Sequence, residues 1–307
     1  MRKYLKQFLM DKRVVDIFRP LWWLILNGPI LTFRPSKSGK AYQKIWDKDN
    51  HGSPLRKFTI NQTSKLKKIF ENYENISIEY AMRYGTPEIE KTLNKMTKKG
   101  CSKILLVPLY PQYAASTSAT VKDEVFRWML KQRWQPDLRT IAPWFDNHNY
   151  IKALAETVKK NIINKNKLDK LIVSFHGIPK RYFMAGDPYH CHCIKSARLL
   201  KEELKWPDDK ILVTFQSRFG PEPWLQPYTD ETIIDLAKQG QKNIAVVAPG
   251  FISDCLETLE EINVEARELF IENGGESFEY IPCLNDNEYS IKFLEYIIKQ
   301  NLLGWNS

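Results

Sequence analysis

His176 stands where an apolar run stops. Residues 170–175 read as a buried strand, and Gly177 and Pro179 allow neither helix nor further strand. The ring therefore falls at the carboxyl end of a strand, where open α/β sheets bind ligands. Histidine changes charge near neutral pH and ligates metals, so proton transfer or metal binding suits the position. A histidine hydrogen-bonded within an ordinary loop is the plainer account. A second set of groups runs from Asp254 through Cys255, Leu256 and Glu257 to Glu260, Glu261 and Glu265. On a regular helix Glu257, Glu261 and Glu265 form a line with rises of about 6 Å. Like charges at that spacing repel by about 0.2–0.5 kcal/mol per pair, which a divalent cation would reverse. Periodicity alone favours a solvated face. The line lies opposite Leu256, Leu259, Asn263, Ala266 and Phe270, and Asp254 with Glu257 fits a capping box.

Three further turns after strands carry polar and aromatic groups: Tyr110 to Ser118, Gln216 to Leu225, and Pro249 to Asp254. Gathered at one end of a sheet with the His176 turn, they suggest a cleft for a large, flat, partly apolar ligand. Each alone is an ordinary strand terminator. Cys191, His192 and Cys193 supply three metal-ligating types, but neighbours on a forming helix point apart. A zinc or cluster site there is not expected.

The elements that must position these groups alternate from residue 76 onward. Strands are expected at 76–84, 103–109, 138–142, 170–175, 210–215, 243–248 and 277–282. Helices are expected at 87–98, 118–133, 149–164, 190–205, 229–239, 254–273 and 287–302. Earlier stretches at 3–10, 38–47 and 58–73 also look helical. Such alternation predicts an α/β fold of parallel sheets covered by helices on both faces. A domain boundary is expected near residue 147, dividing 1–147 from 148–307. The final helix is a candidate to pack back on the first part.

Composition excludes several classes. With 43% hydrophobic and 27% charged residues, the chain is globular rather than disordered. No run approaches the length of a membrane span, and the charged first residues resemble no secretory signal. Five cysteines in 307 residues form no disulfide framework, which fits a reducing cytoplasm. The first 100 residues hold 21 Lys and Arg against 9 Asp and Glu, so the whole excess of positive charge lies there. That third also contains Trp22 and Trp23 among leucines and isoleucines. Peripheral contact with an anionic membrane surface and an ordinary aromatic core both remain open for the pair. No interleaving of basic and aromatic residues points to nucleic acid.

Several stretches together resemble ferrochelatase, which inserts ferrous iron into protoporphyrin IX. They are Ser174-Phe-His-Gly-Ile-Pro179 with Gly186-Asp-Pro-Tyr189, then Gln216-Ser-Arg-Phe-Gly-Pro-Glu-Pro-Trp-Leu225, then Ser253-Asp-Cys-Leu-Glu-Thr-Leu-Glu-Glu261. Tyr42 to Trp46, Gly52 to Leu55, Met82 to Gly85 and Pro108 to Tyr113 extend the resemblance over nearly the whole chain. Cys255 in its motif resembles the bacterial, Gram-negative branch.

The resemblance implies two Rossmann-like, chelatase-like domains with the porphyrin in the cleft between them. His176 matches the family's motif histidine, assigned to accepting pyrrole protons or to binding the metal. Glu257 matches the carboxylate facing it, and Glu261 and Glu265 an acidic metal path, on a helix that the family widens. Arg83, Tyr84, Ser217 and Trp224 match positions lining the porphyrin pocket. A lip dipping into the membrane is implied around Trp22 and Trp23, hence a cytoplasmic protein peripheral at the inner membrane. Fe2+ is then a substrate, and no tightly bound cofactor is expected. Some members hold an iron–sulfur cluster on cysteines near the C-terminus, where this chain has none. The family's first strand and its Asn-x-Gly-Gly-Pro loop have no counterpart here. A truncated product or misplaced start, with a weaker first domain, is the corresponding expectation. Insertion of another metal, use of coproporphyrin, or an inactive porphyrin carrier are the alternatives.

Overall fold

The computed structural model describes residues 1–47, 52–73, 75–162 and 167–305. Helices α1 (Arg2–Met10) and α2 (Arg19–Ile25) open the chain, and α2 continues through a π turn at Leu26–Ile30 into α3 (Leu31–Lys44). Then come α4 (Pro54–Ile69), α5 (Ile89–Lys98), β1 (Lys103–Leu106), a π turn at Ala115–Ala119, α6 (Thr120–Lys131) and β2 (Asp137–Thr140). After α7 (His148–Asn161) follow β3 (Lys170–His176), α8 (Lys180–Met184), α9 (Tyr189–Leu204), β4 (Ile211–Gln216), α10 (Thr229–Lys238) and β5 (Asn243–Val247). The last elements are α11 (Leu256–Leu259), a π turn at Glu261–Ala266, α12 (Arg267–Glu272), β6 (Ser277–Ile281) and α13 (Glu288–Leu302).

Two parallel sheets result. One pairs β1 with β2, and the other runs β4-β3-β5-β6. In the larger sheet β3 lies between β4 and β5, and its ladder with β4 extends to His176 opposite Gln216. Leu171 through Phe175 are all buried, as a strand covered on both faces requires. Each such aliphatic side chain contributes about 1.5–3 kcal/mol of burial. The order reverses between β3 and β5, whose onward connections leave in opposite directions, and so places a crevice at their carboxyl ends.

One face of that sheet packs on α7, α9 and α13, and its core continues through Trp144, Tyr150 and Phe293 to Leu66 of α4 and Phe70 just past it. The indole of Trp144 meets Tyr150 edge-on at 4.9 Å between ring centres. The other face buries Ile233, Ile262 and Phe270 against Ile172 and Val246. Helix α13 packs against both α7 and α4, and Lys65 of α4 reaches the Asp286 carboxylate at 2.6 Å.

The structure corrects one expectation here. Residues 76–84 join no sheet among the described residues, where β1 pairs with β2. Only a single bridge joins Met82 to Glu88. Alternation made the stretch strand-like, but a strand needs a neighbour. The tryptophan pair also separates. Trp22 is buried beside Leu5, Leu9, Leu26 and Leu31 and donates its indole N–H to the Leu9 carbonyl at 2.7 Å. Trp23 is exposed, together with Phe18, Leu21, Leu24 and Phe33. No described helix is long and apolar enough to cross a membrane.

Candidate active site

The ladder carries His176 to the last rung of β3, and the chain turns at Gly177. A Cβ on Gly177 would lie 3.0 Å from the Gln216 carbonyl and 3.2 Å from the Trp224 ring, so a side chain there would press on both. The His176 Nδ1 lies 2.6 Å from the Gly177 carbonyl oxygen. A carbonyl only accepts, so Nδ1 carries a proton, and in the neutral tautomer that this bond selects the lone pair is on Nε2. Trp224 stands 6.5 Å from the imidazole between ring centres, its N–H held by the Phe219 carbonyl at 2.8 Å.

Gln216 ends β4 and joins three elements. Its carbonyl oxygen accepts from Ser174 of β3 at 2.8 Å, and its amide donates to the Glu257 carbonyl at 2.8 Å. Ser217 comes next in a left-handed conformation, φ 65°, which a non-glycine residue adopts only at a cost of about 1–3 kcal/mol. From that backbone its hydroxyl donates to the Glu261 carboxylate at 2.5 Å.

The acidic line is not a regular helix. The Glu260 carbonyl accepts from Val264 at 3.3 Å and, better, from Glu265 at 2.9 Å, and this begins the π turn at 261–266. A π turn widens the helix by one residue and so rotates the later residues away from the four-residue line. Glu257 and Glu261 become half-buried while Glu265 stays exposed. The expected solvated stripe therefore breaks at its inner end. The Asp254 and Glu257 capping box is also absent. The Cys255 N–H donates to the Thr258 hydroxyl instead, at 3.0 Å. The buried Asp254 carboxylate accepts from Thr258, Tyr280 and Asn285.

Burial raises the proton affinity of Glu261, and the nearby Glu257 charge adds to the rise. The Ser217 hydroxyl and His176 oppose it. Tyr42 of α3 has its hydroxyl pKa pushed up by burial first and then by the Glu257 charge. Burial also raises Tyr4 and Tyr110, with a smaller contribution from Glu257, after Tyr42 at Tyr4 and against Arg83 at Tyr110. Glu257 thus sits among tyrosines contributed by α1, α3 and the turn after β1. Sequence reasoning had picked out the stretches holding Tyr42 and Tyr110 but not Tyr4, and it had not joined any of them to Glu257, since nothing local links 4, 42, 110 and 257.

Arg83 and Tyr84 lie against the end of α1, with Tyr84 meeting Tyr4 and Phe8 edge-on. Arg83 donates to Asp11 and, at 2.9 Å, to both oxygens of Thr120, and stacks over Tyr84 at 4.5 Å. The Tyr84 hydroxyl donates to the same Asp11 at 3.0 Å. Arg34 of α3 is a further cation that the sequence had not flagged. Burial lowers its pKa, its guanidinium lies over Phe219 at 5.1 Å, and it makes no ion pair among the described residues. Among those residues no three His, Cys, Asp or Glu side chains converge as a metal cage. On α9 Cys193 is buried and Cys191 exposed, while His192 accepts from the Tyr113 N–H at 3.2 Å.

A doubly wound parallel sheet with a histidine ending its inner strand, beside a widened acidic helix, defines an α/β protein of the chelatase type. The solved structure of SirB from Bacillus subtilis with Fe3+ is similar, with a TM-score of 0.59 over 83% of this chain and 94% of that one. DR2241 from Deinococcus radiodurans is similar with a TM-score of 0.51 over 80% of this chain and 51% of that one. At 17% and 11% sequence identity these likenesses bear on the fold alone. The sequence carries the rest: the ferrochelatase family model matches residues 1–302. Curated relatives named ferrochelatase, from Allorhizobium ampelinum and Rhizobium meliloti, are 53% and 52% identical over 306 residues. Those alignments cover 99% of this chain and 89% and 90% of theirs. The chain belongs to the ferrochelatase family.

Proposed function

We propose that this chain inserts ferrous iron into protoporphyrin IX, the terminal step of haem biosynthesis, at the carboxyl ends of β3 and β4. Glu261 is the observation that carries the siting. It is a desolvated carboxylate with raised proton affinity, bonded by Ser217 and under the influence of both His176 and Glu257. Inserting iron requires both pyrrole N–H bonds to break, and the two protons need acceptors. The Nε2 lone pair of His176 takes one, and the Glu257 carboxylate relays the other outward. Glu261 and Glu265 lead the dication inward as oxygen donors that bind it without caging it. Ser217 and Trp224 line the porphyrin pocket. Arg83 and Tyr84 shape its far wall through Asp11. Binding energy from the flat apolar ring offsets the bending that exposes its nitrogens.

The exposed Phe18, Leu21, Trp23, Leu24 and Phe33 form the face that meets an anionic membrane, with the chain cytoplasmic and peripheral at the inner membrane. Their apolar character beside the positive excess of the first third supports that placement. The test is anaerobic: purified chain, ferrous iron and protoporphyrin, followed by loss of free-porphyrin fluorescence with appearance of haem absorbance. Porphyrin that binds yet keeps its fluorescence with iron present would mark a carrier and end this reading.

A further inference from the structure

Glu260 is not on the acidic line, yet it is the most enclosed carboxylate of that helix. It is 6% exposed. One carboxylate oxygen meets the ammonium of Lys44, the last residue of α3, across 216 positions of sequence. The other oxygen is buried and has no hydrogen-bond partner among the described residues. A carboxylate so enclosed is costly unless a counter-charge is close, and Lys44 is that charge.

The backbone of Glu260 has a second role. Its carbonyl makes the first wide hydrogen bond, the one to Glu265 at 2.9 Å, so the helix widens at this residue. Lys44 in turn lies two residues beyond Tyr42, whose hydroxyl is under the influence of Glu257. One ion pair therefore ties the point where the acidic helix opens to the end of the helix that carries Tyr42.

We propose that Lys44 and Glu260 are positioning residues. Their contact sets the spacing between α3 and the widened turn, and so holds Glu257 and Glu261 at the working distance from the porphyrin cavity. Neither touches the reacting atoms. The inference rests on the siting of metal insertion beside Glu257, and it concerns geometry rather than charge along the metal path.

Stability and turnover separate this role from a merely structural one. Lys44→Met strands a buried carboxylate and lowers thermal stability. Adding Glu260→Gln removes that carboxylate and recovers most of the loss. Turnover behaves differently, because the tie is missing in Lys44→Met, in Glu260→Gln and in the double variant alike. All three are expected to lose about tenfold in kcat, about 1.4 kcal/mol of barrier, with the KM for porphyrin within about twofold. Lys44→Arg keeps the tie and should retain both properties. If kcat in the double variant returns together with stability, or all single variants stay within about twofold of the parent, the proposal fails. A parent that does not metallate defeats the functional reading instead. The pair is then judged by the double-mutant cycle in denaturant, where additive effects would overturn it.

Discussion

Ser217 donates its hydroxyl to the Glu261 carboxylate at 2.5 Å from a left-handed backbone with φ 65°. The residue just past β4 thus accepts local strain to place one hydroxyl on the carboxylate that the π turn brings inside. Strain of this kind persists where the surrounding structure fixes it, and here the Gln216 bonds to Ser174 and to the Glu257 carbonyl do so.

Removing that hydroxyl should raise the proton affinity of Glu261 further, since the Ser217 bond opposes the rise caused by burial. Ser217→Ala is expected to raise the apparent KM for ferrous iron about three- to tenfold, most strongly at low pH. Ser217→Gly should share the kinetic defect yet be the more stable of the two, because glycine adopts this φ freely. Iron titrations at several pH values with melting curves check both halves. An unchanged KM in either variant removes Ser217 from the site.

How much was legible depends on where each cause lies. The end of β3 could be read because its determinants are local: a fully apolar run, then Gly177 and Pro179. The inward turn of Glu261 could not be read from periodicity, which assumes a regular helix. It goes with the tertiary bond from Ser217, while the Glu260 carbonyl, taking the fifth residue rather than the fourth as its better donor, carries Glu265 off the line. The resemblance implied the widening where the spacing argued against it. Residues 76–84 and the tryptophan pair show the same limit from the other side. Alternation and aromatic content are local, but pairing and burial are tertiary, so Trp22 is enclosed and Trp23 is not. The tyrosines around Glu257 and the Lys44 tie join distant positions, which no local pattern reports.

His176→Ala should abolish metallation while porphyrin affinity stays within about tenfold, or about 1.4 kcal/mol. The imidazole supplies a proton acceptor through Nε2, whereas most of the binding surface lies elsewhere. Along the acidic helix, Glu257→Gln should lower turnover far more than Glu265→Gln, because Glu257 is half-buried among tyrosines and Glu265 is exposed. The outer change should act on apparent metal affinity instead. Steady-state rates with iron and porphyrin varied separately decide the point. Equal, negligible effects at both glutamates would return the line to a solvated face.

The two tryptophans give opposite expectations. Trp23→Ser with Leu24→Ser should weaken sedimentation with phosphatidylglycerol-containing vesicles by about tenfold, leaving the melting temperature unchanged. Trp22→Ser should destabilise the α1, α2 and α3 cluster, since its ring is buried and its N–H bonds the Leu9 carbonyl at 2.7 Å. Vesicle binding that ignores Trp23 and Leu24 removes this face as the membrane contact.

The seam between the turn after β1 and α9 should respond to pH through His192. Its ring stacks on Phe145 at 3.7 Å and accepts the Tyr113 N–H at Nδ1, so it must be neutral with its proton on Nε2. Burial lowers its pKa from the ordinary histidine value, and Lys195 adds to this, while Asp146 and Asp187 pull the other way. Below the folded-state value, a second N–H on Nδ1 would point at the Tyr113 N–H. Linkage gives the sign. The unfolded chain takes the proton first, near about pH 6.5, so stability is full above that value and falls as pH drops toward the folded value. His192→Phe keeps the stack and removes the titration. Its melting curves between about pH 5 and 7.5 should therefore show a shallower fall on the acid side than those of the parent. Asp187 continues to hold the Ala115 N–H at 2.7 Å in both proteins, so the turn stays attached during the comparison. Parallel curves would show that His192 is not the titrating group at this seam.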